Sequence, residues 1–313
     1  MTEAKEDFQT GKLVRLVAGI AVIALLIQFV LDDGPAELLR QLAGVSATGW
    51  LVLLVLSLLV LAALSSVFQA MISVVGVRLP FMAAFDYSAM NTFFNTVLPM
   101  KGGIVVRGLY LKQRFGVTWG SYLFVLATSQ LFQLGLLATI AIVVFLAGRV
   151  PLHIPDLPVD TIAIALLVVL AVVALATWLR RELVVEYTHK VARGLGLWIE
   201  DLPRLLRFVA ATLAFHGLSA LRLWLAFGLV GHTLSLTEIC VLYAALAAGL
   251  SWAVTPGNLG VKEAAIVLLA LILGIDKETA LAASIVDRIA SLTITLGVGG
   301  VSAYRVSSDT AAR

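Results

Sequence analysis

Six stretches of this chain, at about 13–31, 49–75, 118–148, 161–179, 205–231 and 279–304, are predominantly apolar over lengths that cross a bilayer. A hydrocarbon core of about 30 Å takes about 20 such residues as a helix. Inside hydrocarbon every backbone N–H and C=O must be paired within the protein, so only helices and closed barrels can span it. The period-two alternation with turn punctuation that a barrel needs does not occur, which leaves helices. At 61% hydrophobic and 13% charged, the chain is also too apolar for a soluble domain. The expectation is an all-α integral membrane protein. The first run follows Lys12 and contains Arg15. It is long enough to span, and no small-residue cleavage pattern precedes Asp32 and Asp33, so it reads as a retained anchor.

Two further apolar blocks, 81–114 and 236–274, are interrupted near the middle by proline and glycine. Each can be one broken span or a re-entrant hairpin. The distribution of Lys and Arg decides between these readings. With both blocks re-entrant and the N-terminus cytoplasmic, the inside segments 1–12, 76–117, 180–204 and 305–313 hold fourteen basic residues. The outside segments then hold three, Arg40, Arg149 and Lys277. The expected topology is therefore six full transmembrane helices plus two re-entrant broken-helix blocks, with both termini cytoplasmic.

This topology contains an inverted repeat within a single membrane domain, 1–313. Repeat one covers 13–148 and repeat two 161–304, with a basic cytoplasmic connector at 180–204. Pro99 pairs with Pro256 and Gly103 with Gly260, both at an offset of 157; with a one-residue slip Gly116 pairs with Gly274 and Gln130 with Arg288. Three complete crossings per half turn the second half upside down. Inverted halves carrying broken helices are the architecture of many transporters, whose sites lie where the breaks meet.

The breaks suggest the chemistry. After Pro99, Lys101 is followed by Gly102 and Gly103 and a resumed helical pattern. Glycines let other groups approach the backbone, and the new helix start presents free N–H groups and a positive dipole end. That combination suits an anion, with Lys101, Arg107 and Asn95 close by. At the second break Pro256, Gly257 and Gly260 open the chain, and Asn258 offers both donor and acceptor. Glu263 follows, and a charge at this depth requires a partner. Arg222, Asp287 and Arg288 are the candidates, for gating or for static charge pairing.

Other residues have plainer readings. His216 suits a hydrogen-bonded packing role, and Asn91, Gln130 and Gln133 suit a polar cavity or interhelical hydrogen bonds equally well. Trp50, Trp119, Trp178 and Trp198 fall near span ends and read as interface anchors. The lone Cys240 allows no internal disulfide, and neither a metal-ligand spacing nor a catalytic constellation is visible, so neither a cofactor nor an enzymatic role is expected. The positive charge follows topology, so nucleic acid is not an expected partner.

The segments NTFFNTVLPMKGGIVVRGLYLKQRFGVTW and TPGNLGVKEAAIVLLALILGIDKETALAASIVDR resemble the lysylphosphatidylglycerol synthase transmembrane region, a flippase-like family also called UPF0104. The resemblance runs over nearly the whole chain. Its motif positions fall on Asn95, Leu98, Pro99, Gly103 and Arg107, then on Pro256, Gly257, Gly260, Glu263 and Arg288. The resemblance implies movement of lipids between leaflets. Fused members carry a soluble aminoacyl-transferase domain that does not appear in this sequence, so synthase activity is not carried over. The resulting expectation is an inner-membrane flippase for an anionic phospholipid or polyprenyl-phosphate-type lipid, with membrane lipids as partners. Also compatible are a lipid-modifying enzyme partner and a homodimer. The alternatives are an ion- or proton-coupled transporter of a small solute and a lipid-presenting partner of a membrane transferase.

Overall fold

The computed structural model describes residues 40–98, 101–147, 196, 198, 200–250 and 255–311. Among these residues the chain is all-helical: α1 Ala47–Ser73, α2 Phe81–Val97, α3 Gly102–Phe115, α4 Trp119–Ala147, α5 Leu202–Leu229, α6 Leu236–Leu250, α7 Val261–Ile272 and α8 Lys277–Ala311. A single 3₁₀ turn at Pro256–Asn258 precedes α7. Four helices, α1, α4, α5 and α8, are long and apolar enough to cross a membrane. The apolar runs at 13–31 and 161–179, the connector up to residue 195, and Pro99 lie outside the described residues.

Local sequence sets the helix ends. Ser46 accepts a hydrogen bond from the Gly49 N–H and opens α1 (3.1 Å), and Asp201 does the same for Arg204 at the start of α5 (3.0 Å). Gly116 closes α3 with a left-handed φ of 65°. The outer side of α1 presents Leu51, Val55, Leu58 and Leu59, all exposed and at helical spacing. An exposed apolar side is what a lipid-facing helix requires.

Among the described helices, α1 and α5 share the most extensive interface. They run antiparallel: Gly49 at the start of α1 abuts Leu229 at the end of α5, while the opposite ends meet near Ser73 and Arg204. Helix α8 packs along α2, and α4 packs along α6. Fully buried Ala280, Ala282, Ala283 and Ala290 let α8 approach its neighbours closely, and Gly299 meets the Ala89 carbonyl of α2. One apolar core gathers Phe68, Met90, Leu111, Tyr122 and Phe208; a second gathers Leu223, Phe227, Leu242 and Ile266. Trp198, expected at the interface, is instead fully buried in the first core against Phe208, with ring centroids 4.3 Å apart. The Phe208 ring supplies an apolar partner inside the protein, which outcompetes the headgroup layer for the indole.

Both broken blocks consist of two helical limbs that pack on each other, α2 with α3 and α6 with α7. At the first block Gly103 lies so close to the Asn91 carbonyl that a side chain would collide with it. Glycine is needed there to let α3 fold back along α2.

Candidate functional site

The two breaks face one cavity of about 320 Å³. Lys101 enters it from the first break, and Thr255, Gly257 and Asn258 from the second. Asn95 and Thr96 of α2, Ser57 of α1, Arg222 of α5, and Arg288 with Ser291 of α8 contribute to its polar wall. Lys101, Arg222 and Arg288 are the cations of that wall, and no carboxylate lines it among the described residues. Two buried polar atoms close to the cavity, Asn95 Oδ1 and Thr255 Oγ1, make no hydrogen bond among the described residues.

Each break achieves its shape differently. Lys101 adopts a left-handed conformation, φ 54° and ψ 43°, directly before α3. Such a conformation is uncommon outside glycine, asparagine and aspartate, and it aims the lysine side chain away from the helical path on either side. At the second break Gly257, Asn258 and Gly260 all have positive φ. The Gly257 backbone rests against Thr96, so the end of α2 and the second break share a wall.

Arg288 holds the second break open. Its Nε donates to Glu263 Oε1 (2.5 Å), Nη1 to the Gly257 carbonyl (2.7 Å) and Nη2 to the Asn258 carbonyl (3.0 Å). The other carboxylate oxygen of Glu263 accepts from the Gly260 N–H (2.8 Å), which caps α7. One arginine and one glutamate thus satisfy three backbone groups that the break would otherwise leave orphaned.

A second cluster lies beside it. Asp287, only 1% exposed, accepts from Arg222 Nε (2.7 Å) and Lys262 Nζ (2.5 Å), and Arg222 Nη1 reaches Ser57 Oγ (3.4 Å). One carboxylate therefore serves two basic side chains. The cluster ties α1, α5, α7 and α8 together at one point.

Of the residues the sequence singled out, the fold brings Asn95, Lys101, Arg222, Gly257, Asn258 and Arg288 to the cavity wall. Glu263 and Asp287 stand behind that wall as partners of Arg288, Arg222 and Lys262. Pro256 and Gly260 shape the second break, and Gly102 packs on Leu98. Arg107 is not in the wall. It is buried with its guanidinium 4.3 Å from the Phe68 ring centroid, and its Nε donates to the Tyr122 hydroxyl (2.9 Å). His216 bonds Tyr243 through Nδ1 (3.1 Å), linking α5 to α6. Lys262 stood out in the sequence as a charge beside Glu263 in an apolar block, but nothing there gave it a role. Sequence reasoning passed over Thr255, Thr96 and Ser57, which carry no signal apart from the fold.

The family model for the lysylphosphatidylglycerol synthase TM region matches residues 16–299. The chain belongs to that family. It is a multi-pass membrane protein, and membership associates it with membrane lipids. No curated protein sequence matches the chain significantly.

Proposed function

We propose that the protein is a flippase for an anionic lipid of the bacterial inner membrane, and that the cavity between the two breaks takes its phosphate-bearing head group. The observation that carries this reading is the wall itself: Lys101, Arg222 and Arg288 with no carboxylate among the described residues. Glu263 and Asp287 pair with Arg288 and Arg222 from behind the wall, so the side turned to the cavity presents cationic donors and no carboxylate among the described residues, which suits an anionic group. Asn95, Thr255 and Asn258 add uncharged hydrogen-bonding groups that replace water around the head group. The acyl chains stay in the bilayer while the head group exchanges hydration for these donors. Glu263 and Asp287 keep the cationic wall in position, and Arg107 supports the first block from its aromatic pocket.

The same proposal includes six full spans, two re-entrant blocks and an inverted repeat, with both termini cytoplasmic. The packing supports it by pairing equivalent elements: α1 against its counterpart α5, and the first limb of each broken block against the last span of the other half. Labelling of single cysteines placed in the 180–204 connector from the cytoplasmic face tests that topology.

Function is tested by leaflet exchange of labelled anionic and zwitterionic lipids in reconstituted vesicles. Wild-type protein is expected to exchange phosphatidylglycerol faster than phosphatidylcholine. Lys101→Ala is expected to slow exchange by about tenfold, the effect of losing roughly 1.4 kcal/mol of charge-assisted bonding. Exchange no faster than in protein-free vesicles, or a Lys101→Ala rate equal to wild type, would overturn the reading.

A further inference from the structure

A second cavity, of about 430 Å³, lies at one membrane face, where the end of α1 meets the start of α5. Gln69 and Ser73 of α1, Arg78 of the following connector, and Arg204 and Arg207 of α5 line it. Ser73 is two and a half turns from Leu64 of the central cavity, so the two cavities occupy opposite sides of α1. This one is not an extension of the first.

Its donors are arginines. Ser73 directs its hydroxyl to the Ala70 carbonyl (2.7 Å), and the Gln69 amide donates to the Leu79 carbonyl (2.7 Å). That second bond ties the connector to α1 and fixes where Arg78 leaves the backbone. Arg204 is engaged with Asp201 (3.0 Å), and Arg207 Nε with the Pro203 carbonyl (3.1 Å). The terminal nitrogens of Arg207 and the whole guanidinium of Arg78 have no hydrogen bond or ion pair among the described residues. Two exposed guanidinium groups thus converge on one concavity that no acid lines among the described residues. At the same end of α5, Leu202 and Leu206 are exposed apolar side chains on the side of the helix turned away from Arg204 and Arg207.

We propose that this cavity is a separate binding site for a phosphate group, contributed by an anionic phospholipid of the adjoining leaflet. Planar guanidinium groups pair with phosphate oxygens two at a time, and basic pockets between spanning helices at a membrane face hold anionic head groups. The cavity's place at the ends of two helices long and apolar enough to cross a membrane favours a lipid over free phosphate. The site stands whether or not the central cavity moves lipid across the bilayer.

The test uses the full chain in phosphatidylcholine nanodiscs with increasing phosphatidylglycerol, and native mass spectrometry to count retained phosphatidylglycerol. All measurements are made in wild-type and Lys101→Ala backgrounds, so that a lipid in the central cavity is counted apart. Arg78→Gln combined with Arg207→Gln is expected to lose one retained lipid in both backgrounds. The phosphatidylglycerol fraction for half-occupancy should rise about 25-fold, from about fivefold per arginine near an anionic surface. Both arginines are exposed, so the fold should survive. Should the double variant melt early, Arg78→Lys with Arg207→Lys decides: weakened retention supports the site, and unchanged retention overturns it. Unchanged retention in the glutamine variant also overturns it. Inorganic phosphate in large excess should leave wild-type retention unaltered; displacement of the lipid by phosphate overturns the lipid source.

Discussion

The two helix breaks have similar backbone sequences and are held in different ways. At the second, Arg288 and Glu263 bind the carbonyls of Gly257 and Asn258 and the N–H of Gly260, so charge clamps the chain. At the first, shape does the holding: Gly102 sits on Leu98 and Gly103 on Asn91, and Leu98 N–H returns to the Phe94 carbonyl (2.8 Å). The arginine that follows the first break, Arg107, turns away onto Phe68 and Tyr122 instead of bracing it. Among the described residues, one wall of the cavity is therefore fixed by charged side-chain hydrogen bonds to the backbone, and the other by close backbone packing. On the proposed flippase reading, the first break is the part expected to move and the second the part expected to stay.

The largest expected effect is at the charge cluster behind the second break. Asp287→Ala leaves Arg222 and Lys262 buried without their shared carboxylate, and breaking a buried pair costs about 3–5 kcal/mol. Thermal unfolding in detergent measures it; a melting temperature equal to wild type would mean that the Arg222–Asp287–Lys262 cluster does not hold the fold together. Next comes Glu263→Ala, which frees Arg288 and uncaps α7. A loss of about 1.5–3 kcal/mol is expected, the range for hydrogen bonds to charged groups. Glu263→Gln should lose less, because its amide oxygen can still accept from Gly260.

The glycines separate the two breaks most directly. Gly103→Ala drives a methyl into the Asn91 carbonyl and should cost about 1–3 kcal/mol through overpacking. At Gly257, by contrast, the nearest atoms to an added methyl are 3.3 Å away in Thr96, and the main penalty is the φ of 57°. That strain should cost about 1 kcal/mol. Equal losses at the two positions would erase the distinction between a packed break and a clamped one.

The smallest effect is outside both breaks, at the start of α8, where Asp276 accepts from the Thr279 N–H (2.8 Å). Partial burial alone would raise the Asp276 carboxyl, but the Thr279 hydrogen bonds outweigh it and hold its pKa below the ordinary value. Its stabilisation is therefore complete above the usual carboxylate range and is lost as pH falls through the lowered pKa. Asp276→Ala should cost about 1 kcal/mol at neutral pH, and the gap to wild type in melting temperature should close on acidification below about pH 4.

The solvent determined what could be read in advance. Hydrocarbon leaves backbone groups no partner outside the helix, so a long apolar run must be helical, and α1, α4, α5 and α8 follow the expected runs to within about three residues except at the C-terminal end of α8. The breaks were equally legible, because proline and paired glycines interrupt a helix through local sterics. That Glu263 needed a cation at membrane depth also followed from sequence, since an unpaired charge there is prohibitive. Which cation answered it did not follow. A side chain's partner across a helix interface depends on how each helix is rotated and crossed, and one residue of shift turns it by about 100°. Only packing decided that Arg288 serves Glu263 while Asp287 goes to Arg222 and Lys262, and that Arg107 leaves the cavity for Phe68. Packing also assembled the arginine cavity, since Arg78 and Arg207 belong to segments far apart in sequence that meet only because α1 and α5 run antiparallel.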